Sequence, residues 1–290
     1  MSIERVFIVG SGLMGSGIAQ ACAQSGLQVV LNDVQPEALL KAKKNLAWSV
    51  GKLVEKGTVL GSVDAILSRI TTSTELDAAG QSDLIIEAVF ENVELKRDVF
   101  RKIDRVAQPG AIIASNTSAI SISDLAGVTE RAEYVLGLHF FSPVPMMPAA
   151  EVIRGMLTSE DTFVRGVDFV RRLGKEPILV HRDLPAFVIN RINYRANLEA
   201  MRLVEQGVAT VEDIDKGLRL AGGRKMGPFE TGDMVGLDVT HGALMAIYEE
   251  TKDPSFYPPA ILRRKVQMGH LGRKSGRGWY EYNPDGTKKQ

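Results

Sequence analysis

The sequence opens with residues suited to holding a phosphate. Gly10-Ser11-Gly12-Leu13-Met14-Gly15 follows the apolar run Val6-Phe7-Ile8-Val9 and leads into Ser16-Gly17-Ile18-Ala19-Gln20. A first glycine lets the chain turn sharply, a second lets backbone N–H groups approach a pyrophosphate, and a third lets helix and strand pack closely. The helix N-terminus adds unpaired donors and the positive end of its dipole. Gly10, Gly12, Leu13, Met14 and Gly15 are therefore the candidate cofactor-binding turn. A second apolar run, Gln28-Val29-Val30-Leu31-Asn32, ends on Asp33, where a carboxylate would bond the adenosine ribose hydroxyls of a dinucleotide. Val34-Gln35-Pro36 brings no cation to balance a 2′-phosphate, so the expected cofactor is NAD rather than NADP. The alternative is a tight βα turn in which Asp33 caps the next helix.

Moving a hydride between an alcohol carbon and a nicotinamide also requires a group to take the hydroxyl proton. His139 is the candidate among the four histidines. It ends the run Tyr134-Val135-Leu136-Gly137-Leu138 and precedes Phe140-Phe141-Ser142-Pro143-Val144-Pro145, a stretch suited neither to helix nor to further sheet. Glu151 follows at the start of Val152-Ile153. A free histidine titrates near about 6.5, and an adjacent carboxylate would orient the ring and stabilise its protonated form. Without the dinucleotide turn, His139 reads equally well as an ordinary buried histidine with a hydrogen-bond partner. That reading is kept for His181, His241 and His270.

These residues need elements to position them. Asp83-Leu84-Ile85-Ile86-Glu87-Ala88-Val89 and Ala111-Ile112-Ile113-Ala114 read as buried strands, the second ending in Ser115-Asn116-Thr117-Ser118. Glu176-Pro177-Ile178-Leu179-Val180 reads as one more, with its proline pointing to an edge or a strand start. A long helix is expected over residues 37–56. Its face of Lys41, Lys43, Lys44, Lys52 and Lys56 suits either solvent or a phosphorylated ligand. Strands alternating with helices predict an α/β fold with a Rossmann-type, doubly wound parallel sheet, whose ligand sits beyond the carboxyl ends of the strands. From Asp183-Leu184-Pro185 onward the spacing becomes helical, with Asp183 and Pro185 expected to start a helix. The expected division is 1–183 for the cofactor domain and 184–290 for a smaller all-helical domain. Residues 284–290 read as a frayed polar tail.

Thirty-five basic residues balance thirty-five acidic ones, so no global field favours nucleic acid or a membrane surface. No apolar run approaches the roughly 18 residues of a transmembrane helix, and residues 1–5 do not resemble a signal peptide. Cys22 is the single cysteine and lies on the apolar side of the first helix. That points to packing and to a reducing, cytoplasmic setting. No metal-ligand cluster stands out.

The ordered motifs carry a resemblance. Gly10-x-Gly-x-x-Gly-x-Gly-Ile-Ala, Glu87-Ala-Val-Phe-Glu-Asn92, Ser115-Asn-Thr-Ser118, His139-Phe-Phe-Ser-Pro-Val-Pro145, Glu151, Phe187-Val-Ile-Asn-Arg191, Gly227-Pro-Phe-Glu230 and Gly272-Arg-Lys-Ser-Gly-Arg-Gly-Trp-Tyr280 run along nearly the whole chain. In this the chain resembles the 3-hydroxyacyl-CoA dehydrogenase family, including its bacterial 3-hydroxybutyryl-CoA members. The resemblance implies a homodimer formed through the helical domain and an acyl-CoA substrate held in the cleft between domains. It makes His139 the general base, Glu151 its carboxylate partner, and Ser118 and Asn190 hydrogen-bonding partners of substrate oxygens. It also places Asp33, Glu91, Lys96, Asn116 and Lys274 about the cofactor.

Read from the residues alone, Ser118 could equally cap the following helix and Asn190 could make an interhelical bond. The expected helix from Pro185 puts Asn190 about a turn and a half from its start. The chain also departs from the family's usual pattern. Ser142 stands where many members carry asparagine, and Pro148-Ala149-Ala150 replaces a bulkier segment before Glu151, which leaves acyl preference open. Glu55 interrupts a usually more basic stretch, while Lys52 and Lys56 remain as candidate handles for CoA phosphates. A free hydroxy acid handled by the same site, as in gulonate- or carnitine-type dehydrogenases, is the alternative. A nucleotide-binding protein without turnover is a more distant one.

Overall fold

Short apolar runs bounded by glycine or polar residues make the strands of the N-terminal part, and the helical-period stretches between them make its helices. The computed structural model describes residues 3–289. The chain forms two units, Met1–Leu184 and Pro185–Gln290. The first runs β1 (Arg5–Val9), α1 (Leu13–Gln24), β2 (Gln28–Asn32), α2 (Pro36–Glu55), α3 (Val63–Leu67), β3 (Ile70–Ser73), β4 (Leu84–Glu87), α4 (Val93–Val106), β5 (Ile112–Ser115), α5 (Ile122–Ala126), β6 (Val135–Phe140), β7 (Ala149–Ile153), α6 (Glu160–Arg172) and β8 (Glu176–Val180). Polar residues start several of these helices. Asn92 accepts from Leu95 N–H at α4, Ser121 from Asp124 N–H at α5, and Ser159 from Thr162 N–H at α6.

The strands form one sheet in the order β3-β2-β1-β4-β5-β6-β7-β8. The chain steps outward from β1 in both directions, so β1 and β4 flank the switch point where such sheets bind ligands at their carboxyl ends. On one face Val6, Ile8, Leu31, Ile86 and Ala114 pack with Ile18 and Cys22 of α1, Leu46 of α2 and Val170 of α6. The alternate residues Phe7, Ile85 and Ile113 point to the other face and are equally buried. Cys22 is buried, and burial pushes its thiol well above the ordinary range, in keeping with a packing role.

Several expectations need correction. The sheet is mixed, because β6 and β7 pair antiparallel, and it holds two strands beyond those expected, β7 and the edge strand β3. Each is short, and β3, Ile70-Thr71-Thr72-Ser73, is only partly buried, so neither shows a long apolar run. His139 stands at the carboxyl end of β6, one residue before its last, Phe140. Asp183 caps nothing at the next helix: its Oδ2 accepts from Ser121 Oγ and Ser123 N–H, both at 2.7 Å.

In the second unit Ala186 and Phe187 take left-handed backbone conformations, φ 62° and 50°, which an α-helix cannot contain. Helix α7 therefore begins only at Ile189 (Ile189–Glu205), and Asn190 is its second residue. Then follow α8 (Val211–Leu220), α9 (Pro228–Val235), α10 (Leu237–Thr251) and α11 (Ala260–Gln267). Two buried carboxylates organise this unit. Asp215 accepts from Phe229 N–H, Glu230 N–H and the Tyr280 hydroxyl, and Asp233 from Trp279 N–H, Tyr280 N–H and the Tyr282 hydroxyl. Burial raises both carboxyls above the ordinary range despite these bonds. The expected tail is ordered through residue 289. Asn283 N–H donates to Thr287 O at 2.8 Å and Lys289 N–H to Glu281 O at 2.8 Å, closing a turn around Gly286. Gln290 lies outside the described residues.

Candidate active site

The dinucleotide turn is built on steric exclusion. Gly10 has φ +102°, and a Cβ there would stand 2.6 Å from Ala88 O; one at Gly15 would stand 1.8 Å from Gly10 O. Around Gly12 the space is open. Helix α1 starts at Leu13 with no side-chain cap and no acidic residue in its first turn, which leaves its N-terminal donors to a ligand. Leu13 is exposed, while Met14 packs against the core.

Asp33 follows β2 at the same end of the sheet. Its Oδ2 accepts from Ser11 N–H at 2.9 Å and Ser11 Oγ at 2.8 Å, and its Oδ1 from Gln35 N–H at 3.1 Å. Burial alone would raise this carboxyl, but the bonds from Ser11 and Gln35 outweigh it and hold it below the ordinary range. It is thus an oriented anion, and a carboxylate has room for about four hydrogen bonds, which leaves capacity for a ribose hydroxyl. It does not cap α2, whose N-cap is Gln35. Open space at Gly12, uncapped donors of α1 and an oriented carboxylate at Asp33 fit NAD.

The carboxyl ends of β4 and β5 carry a second network. Glu87, fully buried, accepts from Lys96 Nζ at 2.6 Å and Ser115 Oγ at 2.6 Å. Lys96 is itself buried and also reaches Glu91 Oε2 at 3.3 Å. Its ammonium therefore lies beneath Glu91 as an internal counterion. Glu91, partly exposed, accepts from Thr117 Oγ1, Ser118 N–H and Ala119 N–H. Asn116 Oδ1 accepts from Phe140 N–H at 2.9 Å, tying the end of β5 to the end of β6.

That arrangement frames the histidine. In the antiparallel ladder His139 stands directly opposite Glu151, and both are buried. Nδ1 of His139 is 2.7 Å from Glu151 Oε2 and Nε2 is 3.2 Å from Ser118 Oγ. A carboxylate accepts and does not donate, so Nδ1 carries the proton. In the neutral ring Nε2 is then the acceptor, turned toward Ser118. Ser118 does not cap α5; Ser121 does. An imidazole held at one nitrogen by a buried carboxylate, beside a dinucleotide turn, is equipped to pass a proton to and from a substrate hydroxyl.

Comparison with known proteins shows the family. Residues 5–184 match the NAD binding domain of 3-hydroxyacyl-CoA dehydrogenase, and residues 187–282 match its C-terminal domain. The chain belongs to the 3-hydroxyacyl-CoA dehydrogenase family. It is 39% identical over 283 residues to the probable 3-hydroxybutyryl-CoA dehydrogenase of Bacillus subtilis (strain 168), covering 97% of this chain and 98% of that one. It is 40% identical over 288 residues to the mitochondrial hydroxyacyl-coenzyme A dehydrogenase of Homo sapiens, covering 97% and 91%. The crystal structure of (S)-3-hydroxybutyryl-CoA dehydrogenase from Ralstonia eutropha superposes with a TM-score of 0.93 at 42% identity, covering 97% of this chain and all of the other.

Lys52 and Lys56 are exposed at the end of α2, and Lys52 Nζ pairs with Glu55 Oε2 at 2.8 Å. In the second unit Asn190 is half-buried at the start of α7, and Lys274 Nζ lies 2.6 Å from Asp238 Oδ1. Ser11 and Thr117 are site residues beyond those expected: both hydroxyls stand in the sequence motifs, but the carboxylates they meet, Asp33 and Glu91, are 22 and 26 residues away.

Proposed function

We propose that the chain interconverts an L-3-hydroxyacyl-CoA and the corresponding 3-ketoacyl-CoA with NAD. The observation that carries this reading is His139 held between Glu151 and Ser118 at the strand ends beside the dinucleotide turn. NAD⁺, when bound, accepts the hydride leaving C3 of the alcohol. His139 takes the hydroxyl proton at Nε2 during oxidation and returns it during reduction. Glu151 keeps Nδ1 protonated and the ring oriented, and its charge favours the imidazolium formed on proton transfer. Ser118 Oγ and the Asn190 amide hydrogen-bond the substrate oxygens. Asp33 and the N–H groups at the start of α1 bind the ribose and the pyrophosphate; Glu91, Asn116 and Lys274 complete the cofactor set, with Lys96 supporting Glu91. Lys52 and Lys56 attract the CoA phosphates.

The test is NADH oxidation by the purified protein with acetoacetyl-CoA and free acetoacetate run side by side. Turnover of the thioester alone supports the reading. Turnover of free acetoacetate at equal efficiency supports the hydroxy-acid alternative, which the Lys52–Glu55 pairing favours by neutralising part of the CoA handle. Binding of NADH with turnover of neither refutes both. Among the described residues no helix is long and apolar enough to cross a membrane. The exposed Ile192, Leu220 and Met234 of the second unit support the further proposal of a homodimer, which a monomeric mass by light scattering would refute. The single cysteine, buried and unpaired, supports a cytoplasmic setting; recovery outside the cytoplasmic fraction would refute that.

A further inference from the structure

The segment joining the strand of His139 to the strand of Glu151, residues 141–148, contains Pro143, Pro145 and Pro148. Proline supplies no N–H, so the segment has few donors for its own carbonyls. Lys175 supplies them from outside. It is 7% exposed, and its Nζ donates to Val144 O and Met147 O at 2.6 Å each. Burial pushes this ammonium below the ordinary lysine range. An apolar side chain of similar length would fill the space without that desolvation cost, so what the lysine adds is its pair of charge-assisted hydrogen bonds.

The same segment is held from a second side. A Cβ at Gly17 of α1 would stand 3.0 Å from Val144 Cβ, so the helix of the dinucleotide turn packs directly against it. At its start Phe141 sets its ring edge-on to His139, with centroids 4.9 Å apart. Lys175 is well anchored for its task. It immediately precedes β8, where Glu176 pairs with Ala149 of β7 and Glu176 N–H donates to Pro148 O at 2.7 Å. Because β7 and β8 run opposite to β6, their starts lie at the end of the sheet where His139 and Gly10 emerge.

We infer that Lys175 is a positioning residue for turnover: by pinning Val144 and Met147 it fixes the segment that flanks His139 and so holds the proton-transferring ring in its working orientation. The inference rests on the activity proposed above. A reacting group displaced by about 1 Å can cost about 100-fold in rate. For Lys175→Met, kcat with acetoacetyl-CoA and NADH is expected to fall about 10- to 100-fold. KM for the thioester and Kd for NADH, measured by fluorescence titration, should each stay within about twofold, and kcat is counted per NADH-binding site from the same titration, which removes any loss due to unfolded protein. A kcat per folded site within about twofold of wild type would overturn the inference, because Lys175 would then only stabilise the fold. If Lys175→Met does not fold, Gly17→Ala decides, since alanine is the better helix former and its methyl presses on Val144. Lowered kcat at unchanged NADH affinity supports the role, and unchanged kcat overturns it. An inactive wild type that binds NADH would instead refute the activity, and this role with it.

Discussion

Replacing Glu151 with glutamine keeps the shape of the side chain and removes one charge from a buried pair whose contact atoms are 2.7 Å apart. Two effects follow. A hydrogen bond to a charged group contributes about 1.5–3 kcal/mol against about 0.5–1.5 for a neutral one, so losing the charge costs at least about 1 kcal/mol. Unit charges about 4 Å apart at an effective dielectric of about 20 attract by about 4 kcal/mol, which sets the upper end. At about 1.4 kcal/mol per factor of ten, kcat should drop roughly 5- to 1,000-fold. If the amide turns its NH₂ toward His139, Nδ1 must become the acceptor and Nε2 the donor. The wrong tautomer then faces the substrate hydroxyl, and the loss extends to about 10,000-fold, as when a buried aspartate orienting a catalytic histidine is replaced by asparagine. The assay is the initial rate of NADH oxidation with saturating acetoacetyl-CoA, beside an NADH titration by fluorescence. Affinity for NADH should stay within about twofold, because Glu151 acts through the His139 ring that it orients. A kcat within about threefold of wild type would refute the oriented-base reasoning, and so would a loss of affinity matching the loss of rate.

Asp33→Ala should raise Kd for NADH about 10- to 100-fold, the value of one hydrogen bond to a charged group, and an unchanged titration would exclude the ribose assignment. Glu55→Gln frees Lys52 from its 2.8 Å partner; KM for acetoacetyl-CoA should fall about two- to fivefold and its dependence on salt should steepen. A KM indifferent to the change would remove Lys52 from the CoA site. Burial holds the Asp233 carboxyl above its ordinary value, so the folded state keeps its proton longer than the unfolded chain. Its contribution to stability is full below the ordinary carboxylate value of about 3.9 and is lost as pH rises through the raised one. The gap in thermal midpoint between wild type and Asp233→Asn should therefore narrow as pH rises across that window; a widening gap would contradict the sign.

Much of the fold and of the candidate site was legible because the signals were local. The glycine turn, the apolar strands and Asp33 at a strand end announce themselves within a few residues, and NAD follows from their order. Glu151 was visible as a carboxylate, but its place opposite His139 depends on β7, whose Ala-Ala-Glu-Val-Ile is too short to stand out from an ordinary apolar run. Lys175 drew no attention because its partners are main-chain carbonyls about thirty residues away. The start of α7 was misplaced for a different reason. Leu184 through Ile192 carry helical spacing, yet Ala186 and Phe187 bend left-handed without the glycine or asparagine that usually marks such a bend. Asp183 looked like a cap by type, but a capping residue is defined by the N–H it meets, and this one meets Ser123.

The antiparallel step between β6 and β7 makes His139 and Glu151 rungs of one ladder. Side chains alternate faces along a strand, so slipping the pairing by a single residue would send Glu151 to the opposite side of the sheet. Placement of the two residues is thus digital: the backbone pairing either delivers it whole or withholds it, and only the orientation of the side chains is left to be adjusted. The connection of residues 141–148 belongs to no rung, so what it governs is the fine setting of a ring that the ladder has already brought opposite its carboxylate. The fold in this way divides the work: strand pairing decides that the two groups meet, and the connection, held by Lys175, decides how steadily the ring keeps its aim.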